Sequence, residues 1–315
     1  MAEIGTDVKR AVQLLKAGLN VAIPTETVYG LAGIISSEKS IKQIFEIKKR
    51  PFTDPLIVHV ASPEAINPLV SSFPPLAMQL FKAFCPGPLT ILLPKSESVP
   101  DLVTNASPLV AIRIPAHPLC LQLLEELGEP VAAPSANPFG GISPTCAAHV
   151  ESGLGSDVPY ILDGGPCRVG LESTIIKILP EGGISVLRQG GISEEELRLF
   201  ADLNLAEKQK EDVVPGSMLS HYAPRKPLFT ESSKLPEGKM VCLRFQTALE
   251  GISEDRQVIL SPSGNLSEAA RGLFAALHRL DLMEADFILA EKVPDSGLGR
   301  AINDRLGRAS HRKPS

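Results

Sequence analysis

P-T-E-T-V-Y-G-L at residues 24–31, K-K-R-P at 48–51 and P-L-I-V-H-V at 55–60 form the stretch that decides the fold. Apolar runs at 20–23 and 56–60 have the length and residue types of strands, and the segment between them carries apolar residues at helical spacing. Ligands usually bind at strand ends in open α/β sheets. We therefore expect the hydroxyls of the first motif, the basic triplet of the second and the histidine of the third to converge at an anion site.

The basic triplet Lys48-Lys49-Arg50 stands directly before Pro51, where the helical pattern ends. Cations in the last turn of a helix are favoured by the helix dipole, so the triplet also fits ordinary helix termination. Thr27 follows a predicted strand end, where a hydroxyl can either contact a ligand or tie down a turn. Each feature alone has a structural explanation, and their combination indicates an anion site.

Two polar residues interrupt apolar strands. Strand alternation places His59 on the opposite face from its neighbours, either as a structural hydrogen-bonding group or as a ligand-binding one. Arg113 lies within the apolar run 109–114. A guanidinium is costly to bury unless it meets an anion, so Arg113 either faces outward on a half-exposed sheet or binds a carboxylate or phosphate.

The composition excludes several classes of protein. The 315 residues are 43% hydrophobic and 21% charged, which predicts a soluble globular protein with two domains. A net charge of -5 gives no basis for a globally nucleic-acid-binding surface and leaves room only for a focal basic cleft. Five dispersed cysteines predict reduced thiols. Without an apolar targeting segment or a membrane-spanning run, we expect a cytoplasmic location and no membrane partner.

The first part of the chain mixes helical and strand patterns. Thr6 or Asp7 is suited to cap a first helix, Ser143-Pro144 resembles another helix start, and S-x-x-E at 193–196 fits a capping box that opens a helix to about Leu203. This mixture is not that of a simple Rossmann unit. Further predicted elements are helices at 63–69, 75–84 and 118–127, and strands at 89–93, 109–114, 160–163, 173–179 and 184–187.

A change of pattern divides the chain into a first domain at 1–206, a linker at 207–227 and a second domain at 228–315. Within the linker, Tyr222 of the H-Y-A-P motif suggests docking onto another surface. Strands alternate with helices in the second domain, which predicts a small parallel α/β unit. A solvated helix end is predicted for the basic residues Arg305, Arg308, Arg312 and Lys313.

Several familiar phosphate and catalytic motifs are missing from the sequence. There is no G-x-x-x-x-G-K-S/T, G-x-G-x-x-G, H-E-x-x-H or G-x-S-x-G. If phosphates bind, side-chain cations must neutralise them. The candidates are Lys48, Lys49, Arg50, Arg113 and Arg188.

The motifs taken in order resemble the threonylcarbamoyl-AMP synthase family. To the three opening motifs the sequence adds C-P-G-P-L-T at 85–90, A-I-R-I-P at 111–115, A-P-S-A-N at 133–137 and L-E-S-T-I-I at 171–176. S-H-Y-A-P at 220–224 and G-L-G-R-A-I-N-D-R-L at 297–306 resemble the two-domain form of the family. The resemblance covers nearly the whole chain.

This resemblance implies an α/β fold, in which a YrdC-like twisted mixed sheet with helices surrounds a large cavity and a smaller Rossmann-like parallel domain follows. It implies formation of threonylcarbamoyl-AMP and pyrophosphate from L-threonine, bicarbonate and ATP, with magnesium as cofactor and no protein metal ligands assigned. The product would serve the downstream tRNA threonylcarbamoyl transferase machinery, and direct tRNA binding is possible but not required.

By the same match, specific residues acquire expected roles. Since the carbamate and the triphosphate are both anionic, we expect Lys48, Arg50 and Arg113 to be the catalytic residues. The match assigns the threonine site to Thr27, His59, Arg113, Ala133 and Ser173, and the ATP site to Arg50, Asp54, Leu109, Ser135, Ser143, Arg188 and Tyr222. We further expect the linker bearing Tyr222 to fold over the cavity mouth and exclude water from the carbamoyl-adenylate.

Two rival functions remain open on the sequence alone. The basic cleft could hold double-stranded RNA or tRNA directly, which predicts salt-sensitive affinity. Alternatively, a related carbamoyl transferase acting on another acceptor would keep the cavity without needing threonine. Pyrophosphate release that depends on both threonine and bicarbonate would separate the synthase from both rivals.

Overall fold

The computed structural model describes residues 1–180, 182–203, 214–215, 221–230 and 235–311. Most of the linker predicted at 207–227 therefore lies outside the described residues, as do Arg312 and Lys313 of the predicted basic helix end. Within the described ranges, no helix is long and apolar enough to cross a bilayer. The chain's five cysteines are all described, and all are free.

Ten strands of the described chain form a single mixed sheet in the order β1-β8-β2-β3-β7-β4-β6-β5-β9-β10. They are β1 (Glu3–Gly5), β2 (Val21–Ile23), β3 (Gly30–Ile34), β4 (Ile57–His59), β5 (Leu89–Pro94), β6 (Leu109–Arg113), β7 (Val131–Ala132), β8 (Tyr160–Leu162), β9 (Thr174–Ile178) and β10 (Ile184–Arg188). The adjacent interior strands β4 and β6 are parallel, and their registered partners include His59 with Arg113. Both polar residues therefore lie side by side at the C-terminal ends of these strands.

Helices pack on both faces of this sheet. They are α1 (Val8–Lys16), α2 (Glu38–Lys48), α3 (Pro75–Phe84), α4 (Asp101–Thr104), α5 (Pro118–Leu127), α6 (Ala147–Leu154) and α7 (Glu194–Leu197), with a 3-10 helix at Glu64–Leu69. Alternate residues of β2 enter different hydrophobic clusters: Ala22 packs in the cluster of α2 and α3, whereas Val21 and Ile23 pack in that of α1 and α5. The twisted mixed sheet predicted for the first domain is confirmed.

Local sequence signals determined some helix ends and missed others. Asp7 caps α1, and Ser193 and Glu196 form the predicted capping box. The helix opened by this box ends at Leu197 rather than near residue 203, and turns follow it. The prediction of a helix start at Ser143 is wrong, because α6 begins at Ala147 and the Ser143 hydroxyl is engaged in the site described below.

The second unit is a four-stranded sheet, all parallel, in the order β11-β14-β12-β13. Its elements are β11 (Leu228–Thr230), β12 (Met240–Arg244), β13 (Gln257–Ile259), α8 (Leu266–Leu282), β14 (Phe287–Ala290) and α9 (Gly299–Ser310). This confirms the predicted small parallel α/β unit. The numbered division between domains stays a prediction, and Val28, Ile142 and Leu171 of the first unit pack in the hydrophobic cluster of the second.

Candidate functional site

One cavity lies at the C-terminal ends of strands β4 and β6. Its walls are formed by Thr25, Val28, Gly30, Arg50, Ile57, His59, Arg113, Ala133, Pro134, Ser135, Glu172, Arg188, Pro215, His221 and Tyr222. The enclosed volume is about 50 Å³. Small-molecule sites usually measure roughly 300 Å³ or more. Linker residues form one wall, so the described arrangement is a closed one.

Arg50 reaches the cavity because helix α2 ends immediately before it. Lys49 adopts the left-handed conformation that ends the helix, with φ of 53°. Arg50 then donates from Nε to the Asp54 carbonyl oxygen at 3.1 Å and from Nη2 to the Pro55 carbonyl oxygen at 2.8 Å. Its Nη2 also lies 2.9 Å from Asp54 Oδ2. Asp54 therefore fixes the guanidinium from behind the wall.

Lys48 is buried beneath the loop that forms the opposite part of the wall. Its Nζ donates to the carbonyl oxygens of Ser135 and Asn137, both at 2.5 Å. Burial, with a further contribution from Arg50, holds the pKa of Lys48 well below its usual range. The structure thus gives Lys48 two carbonyl partners and places it behind Ser135, in a position that supports the loop.

Arg113 is only 4% exposed, so the outward-facing alternative is wrong. Its Nη2 donates to Glu26 Oε1 at 2.7 Å and to Thr27 Oγ1 at 2.8 Å. The second Glu26 oxygen accepts the Ala116 amide at 2.9 Å. The buried Nε of Arg113 has no hydrogen-bond partner among the described residues. Arg113 therefore lines the cavity with one of its donors unpaired.

His59 is a neutral hydrogen-bonding group on the cavity wall. Its Nδ1 lies 3.2 Å from the Ile57 carbonyl oxygen, which places the ring proton on Nδ1 and leaves Nε2 as an acceptor. Burial, together with the charge of Arg113, lowers the pKa of His59 to about 3. The imidazole is therefore uncharged at physiological pH.

Arg188 completes the cationic wall. Its Nε and Nη2 donate to the Ser173 carbonyl oxygen at 3.1 and 3.0 Å, and Nη2 also reaches Ser173 Oγ at 3.0 Å. Ser173 Oγ in turn lies 2.7 Å from Thr90 Oγ1. The remaining nitrogen, Nη1, donates to the Pro215 carbonyl oxygen of the linker at 3.0 Å. Burial lowers the pKa of Arg188 to about 10, so it stays charged.

Glu26 and Glu172 belong to the site but were missed by the sequence reasoning. Glu172 lies on the cavity wall, and its Oε1 accepts the hydroxyl of the fully buried Ser143 at 2.6 Å. Both glutamates stand within motifs already singled out, next to a hydroxyl residue. Each glutamate pairs with a buried arginine, and the general need of a buried guanidinium for polar or charged partners was the available signal.

The linker residue Tyr222 docks as predicted. It is 1% exposed, and its ring stacks on Phe274 with centroids 5.6 Å apart. Burial raises the pKa of Tyr222 to about 12. Its φ of 62° is unusual for a bulky residue and is imposed by the surroundings. The next amide, of Ala223, donates to the Gly140 carbonyl oxygen at 2.8 Å, so the linker is fixed on both units.

The predicted site residues thus fall into three groups. Those on the wall are Arg50, His59, Arg113, Ala133, Ser135, Arg188 and Tyr222. Those that contact wall residues from behind are Thr27, Lys48, Asp54, Ser143 and Ser173. Leu109 lies apart, beside a small hollow with Val214 and Pro215.

The prediction of a solvated position for Arg305 is wrong. Arg305 is 0% exposed, and its Nε donates to Glu172 Oε2 at 3.0 Å. Helical periodicity did not distinguish it from Arg308, whose side chain is 17% exposed. The distinguishing carboxylate lies 133 positions earlier in the chain.

Three arginines and a neutral histidine therefore face one enclosed space. Fixed cations at low dielectric stabilise anions placed between them. Within the described part of the chain, no group of three or more His, Cys, Asp or Glu side chains could hold a metal ion. The arrangement can bind anionic groups and orient them.

Known proteins share both the sequence pattern and the fold. A family model described as "Telomere recombination" matches residues 13–190, and one described as "Threonylcarbamoyl-AMP synthase, C-terminal domain" matches residues 192–311. Proteins named threonylcarbamoyl-AMP synthase from Pyrococcus abyssi and Bacillus subtilis are each 38% identical, over 96% of this chain and 94% and 92% of their own lengths. A protein of the same name from Vibrio vulnificus is 35% identical, with 99% of its length matching 59% of this chain.

Among solved structures, that of Pyrococcus abyssi Sua5 complexed with L-threonine has a TM-score of 0.88 at 35% identity, covering 98% of this chain and 97% of the other. The structure of a doubly substituted variant of P. abyssi Sua5 has a TM-score of 0.86 at 33% identity, covering 98% and 96%. The family models match both parts of the sequence, and the solved structures match both units of the fold. The chain belongs to the threonylcarbamoyl-AMP synthase family.

Proposed function

We propose that this chain is an L-threonylcarbamoyladenylate synthase. It forms threonylcarbamoyl-AMP and pyrophosphate from L-threonine, bicarbonate and ATP, for threonylcarbamoyl-adenosine modification of tRNA. The observation that carries this proposal is the convergence of Arg50, Arg113 and Arg188 with His59 on one cavity. The names of relatives matched over nearly the whole chain support it.

We assign threonine binding to the part of the cavity at the C-terminal ends of β4 and β6. Arg113 offers its unpartnered Nε to the threonine carboxylate, while its Nη2 stays with Glu26 and Thr27. The neutral His59 offers Nε2 as an acceptor for the amine. Neighbouring arginines disfavour an ammonium in this space, so they favour the neutral amine that carbamate formation requires.

The nucleotide side is assigned to Arg50 and Arg188. Arg188 currently gives Nη1 to the Pro215 carbonyl oxygen, and this donor becomes available to a phosphate when the linker moves. Magnesium would accompany ATP as part of the substrate, since Mg²⁺ is commonly bound with substrate phosphates rather than in an all-protein cage. Bound there, it would add positive charge to the triphosphate.

The reaction then needs alignment more than covalent catalysis. The neutral threonine amine attacks bicarbonate, so that a nitrogen–carbon bond forms and water is lost, giving a carbamate. A carbamate oxygen attacks the α-phosphorus of ATP, and the bond to the β,γ-phosphate group breaks to release pyrophosphate. Arg50, Arg113 and Arg188 reduce the repulsion between the two anions and keep them adjacent.

The linker acts as a lid in this proposal. A space of about 50 Å³ cannot admit ATP, and Pro215, His221 and Tyr222 form part of its wall. Outward movement of these residues would open the site, and their return would exclude water from the carbamoyl-adenylate.

The product then passes to tRNA threonylcarbamoyl transferase machinery. The chain's free cysteines support a cytoplasmic location.

Pyrophosphate release from ATP tests the proposal when threonine and bicarbonate are omitted in turn. Release that requires both, with threonine incorporated into an adenylate, is expected. Threonine-independent release would instead favour a transferase acting on another acceptor. Salt-sensitive RNA binding without any threonine-dependent use of ATP would favour the RNA-binding alternative.

A further inference from the structure

The loop between β8 and β9 carries Glu172 and Ser173 to the cavity, and it is packed against the second unit. Gly170 has φ of +75°, and a Cβ at this position would lie 2.5 Å from Cα of Arg271 in α8. The next residue, Leu171, is fully buried in the hydrophobic cluster that contains Phe274. The loop and helix α8 are therefore packed backbone against backbone, with no room for a side chain at Gly170. Because Glu172 lies two residues further along this loop, its position depends on α8.

Arg305 of α9 reaches the same loop from the other side. Its Nε donates to Glu172 Oε2 at 3.0 Å, and its Nη1 donates to Asp304 Oδ2 at 2.8 Å. The guanidinium carbon lies 5.0 Å from the centroid of the Tyr222 ring, a cation–π distance. The amide of His221 lies within hydrogen-bond distance, 3.4 Å, of the Arg308 carbonyl oxygen of α9. A single buried arginine thus contacts both a wall glutamate and the lid.

Ser143 contacts the second unit directly through its backbone and indirectly, by way of Glu172, through its side chain. Its hydroxyl donates to Glu172 Oε1, the carboxylate that Arg305 fixes. Its carbonyl oxygen lies 3.2 Å from Nε2 of His278 in α8. By contrast, the partners described for Arg113 and His59 on the threonine side all come from the first unit. Among the described residues, the second unit's polar contacts therefore reach Glu172 and Ser143, whereas the wall residue Val28 meets it through apolar packing alone.

We propose that Arg305 is a positioning residue for the nucleotide side of the cavity. Through Glu172 it fixes Ser143, and through the Tyr222 ring it stabilises the closed linker; it touches no substrate itself. This inference rests on the proposed function and assigns a task to the second unit. The Vibrio vulnificus relative, 99% of whose length matches only 59% of this chain, carries the synthase name, so we assign the second unit positioning rather than chemistry.

The test compares two arginines of the same helix. Arg305→Met removes the buried pair with Glu172, whereas Arg300→Met removes an exposed pair in which Arg300 Nη1 reaches Glu195 Oε1 and Oε2 at 2.7 and 2.9 Å. Both pairs join α9 to the first unit. For each variant, Kd for a non-hydrolysable ATP analogue and Kd for L-threonine are measured by calorimetry, alongside pyrophosphate release.

We expect Arg305→Met to weaken binding of the ATP analogue roughly tenfold to hundredfold, because small displacements of positioning groups have effects of this size. Threonine binding should change less than about twofold, and Arg300→Met should change neither by more than that. Unchanged binding of the analogue would overturn the inference, as would equal losses for both ligands, which indicate general destabilisation.

Arg305→Lys keeps the measurement possible if the methionine variant does not fold. The lysine retains the charge but cannot span Glu172 and Asp304 or lie flat against the Tyr222 ring. The same loss, selective for the ATP analogue but smaller, is expected. An inactive wild-type protein would contradict the proposed function, whereas an active wild type with unaffected Arg305 variants would contradict this inference alone.

Discussion

Arg113 and Arg305 are both buried arginines paired with a glutamate, but they belong to regions built in different ways. Arg113 extends from a strand and finds Glu26 in the first unit, next to the end of β2. Arg305 extends from α9 of the second unit and crosses to Glu172 in the first. The threonine side is therefore preformed by the large sheet. The nucleotide side has Arg50 and Arg188 from the first unit, but it is completed by a loop, a linker and the second unit. An element assembled in this way can open without disturbing the sheet.

The largest expected effect is at the preformed side. Arg113→Gln should lower kcat/KM for threonine roughly 100- to 1000-fold, as loss of a fixed donor to a developing or bound anion does. It also leaves Glu26 buried without its cation, so the variant should lose about 3–5 kcal/mol of stability. Pyrophosphate release and urea unfolding measure the two effects.

Glu26→Gln is the matched control for Arg113→Gln, because it removes the ion pair while leaving the cation in place. Activity retained to a much greater extent in Glu26→Gln than in Arg113→Gln supports the assignment of Arg113 to the substrate. Equal losses of activity in the two variants would show that Arg113 acts through the fold alone.

The next effect concerns the assembled side. Tyr222→Ala removes the ring that stacks on Phe274 and lies beside Arg305. The variant should still release pyrophosphate but should leak hydrolysed intermediate, because water is no longer excluded. The measurement is the ratio of threonylcarbamoyl-AMP recovered to pyrophosphate released. Phe229→Ala, at a ring pair within the second unit, serves as the control. Unchanged turnover and an unchanged ratio in Tyr222→Ala would remove the lid role.

A smaller effect follows from the buried histidine. The pKa of His59 is about 3 in the fold, because of burial and Arg113, against about 6.5 when unfolded. The unfolded chain therefore binds the additional proton as pH falls below 6.5, and stability should fall by about 1.4 kcal/mol per pH unit toward pH 3. His59→Gln should show a shallower decline between pH 7 and 5 in denaturant unfolding. Parallel declines in the two proteins would contradict a buried neutral His59.

The smallest expected effect lies away from both sides. Ser193→Ala removes a capping box in which the Ser193 side chain accepts the Glu196 amide, and it should lower stability by about 1 kcal/mol. Pyrophosphate release should remain unchanged. A loss of activity without a loss of stability would show that α7 contributes to the site. It would then weaken the contrast between the threonine side and the nucleotide side of the cavity.

Sequence alone predicted many of the elements and much of the wall. Hydrophobic periodicity predicted α5 and placed β4 and β6 to within about a residue of their observed ends, and the ordered motifs selected Arg50, His59, Arg113 and Arg188. Such signals are local, because they arise from side-chain alternation and helix ends within a few residues. Sequence also predicted that Tyr222 docks, since a tyrosine in a polar linker requires a partner.

Only the tertiary structure decided the partners. Lys48 donates to two carbonyl oxygens, and its expected role toward phosphate stays a prediction. The sequence pattern predicts that Ser143 caps a helix, but it donates to Glu172; the pattern also predicts a solvated Arg305, which is buried. Each of these partners lies more than 25 positions away in the chain. The residue type determines that a buried charge or hydroxyl needs a partner, but the folded chain determines which partner comes within 3 Å.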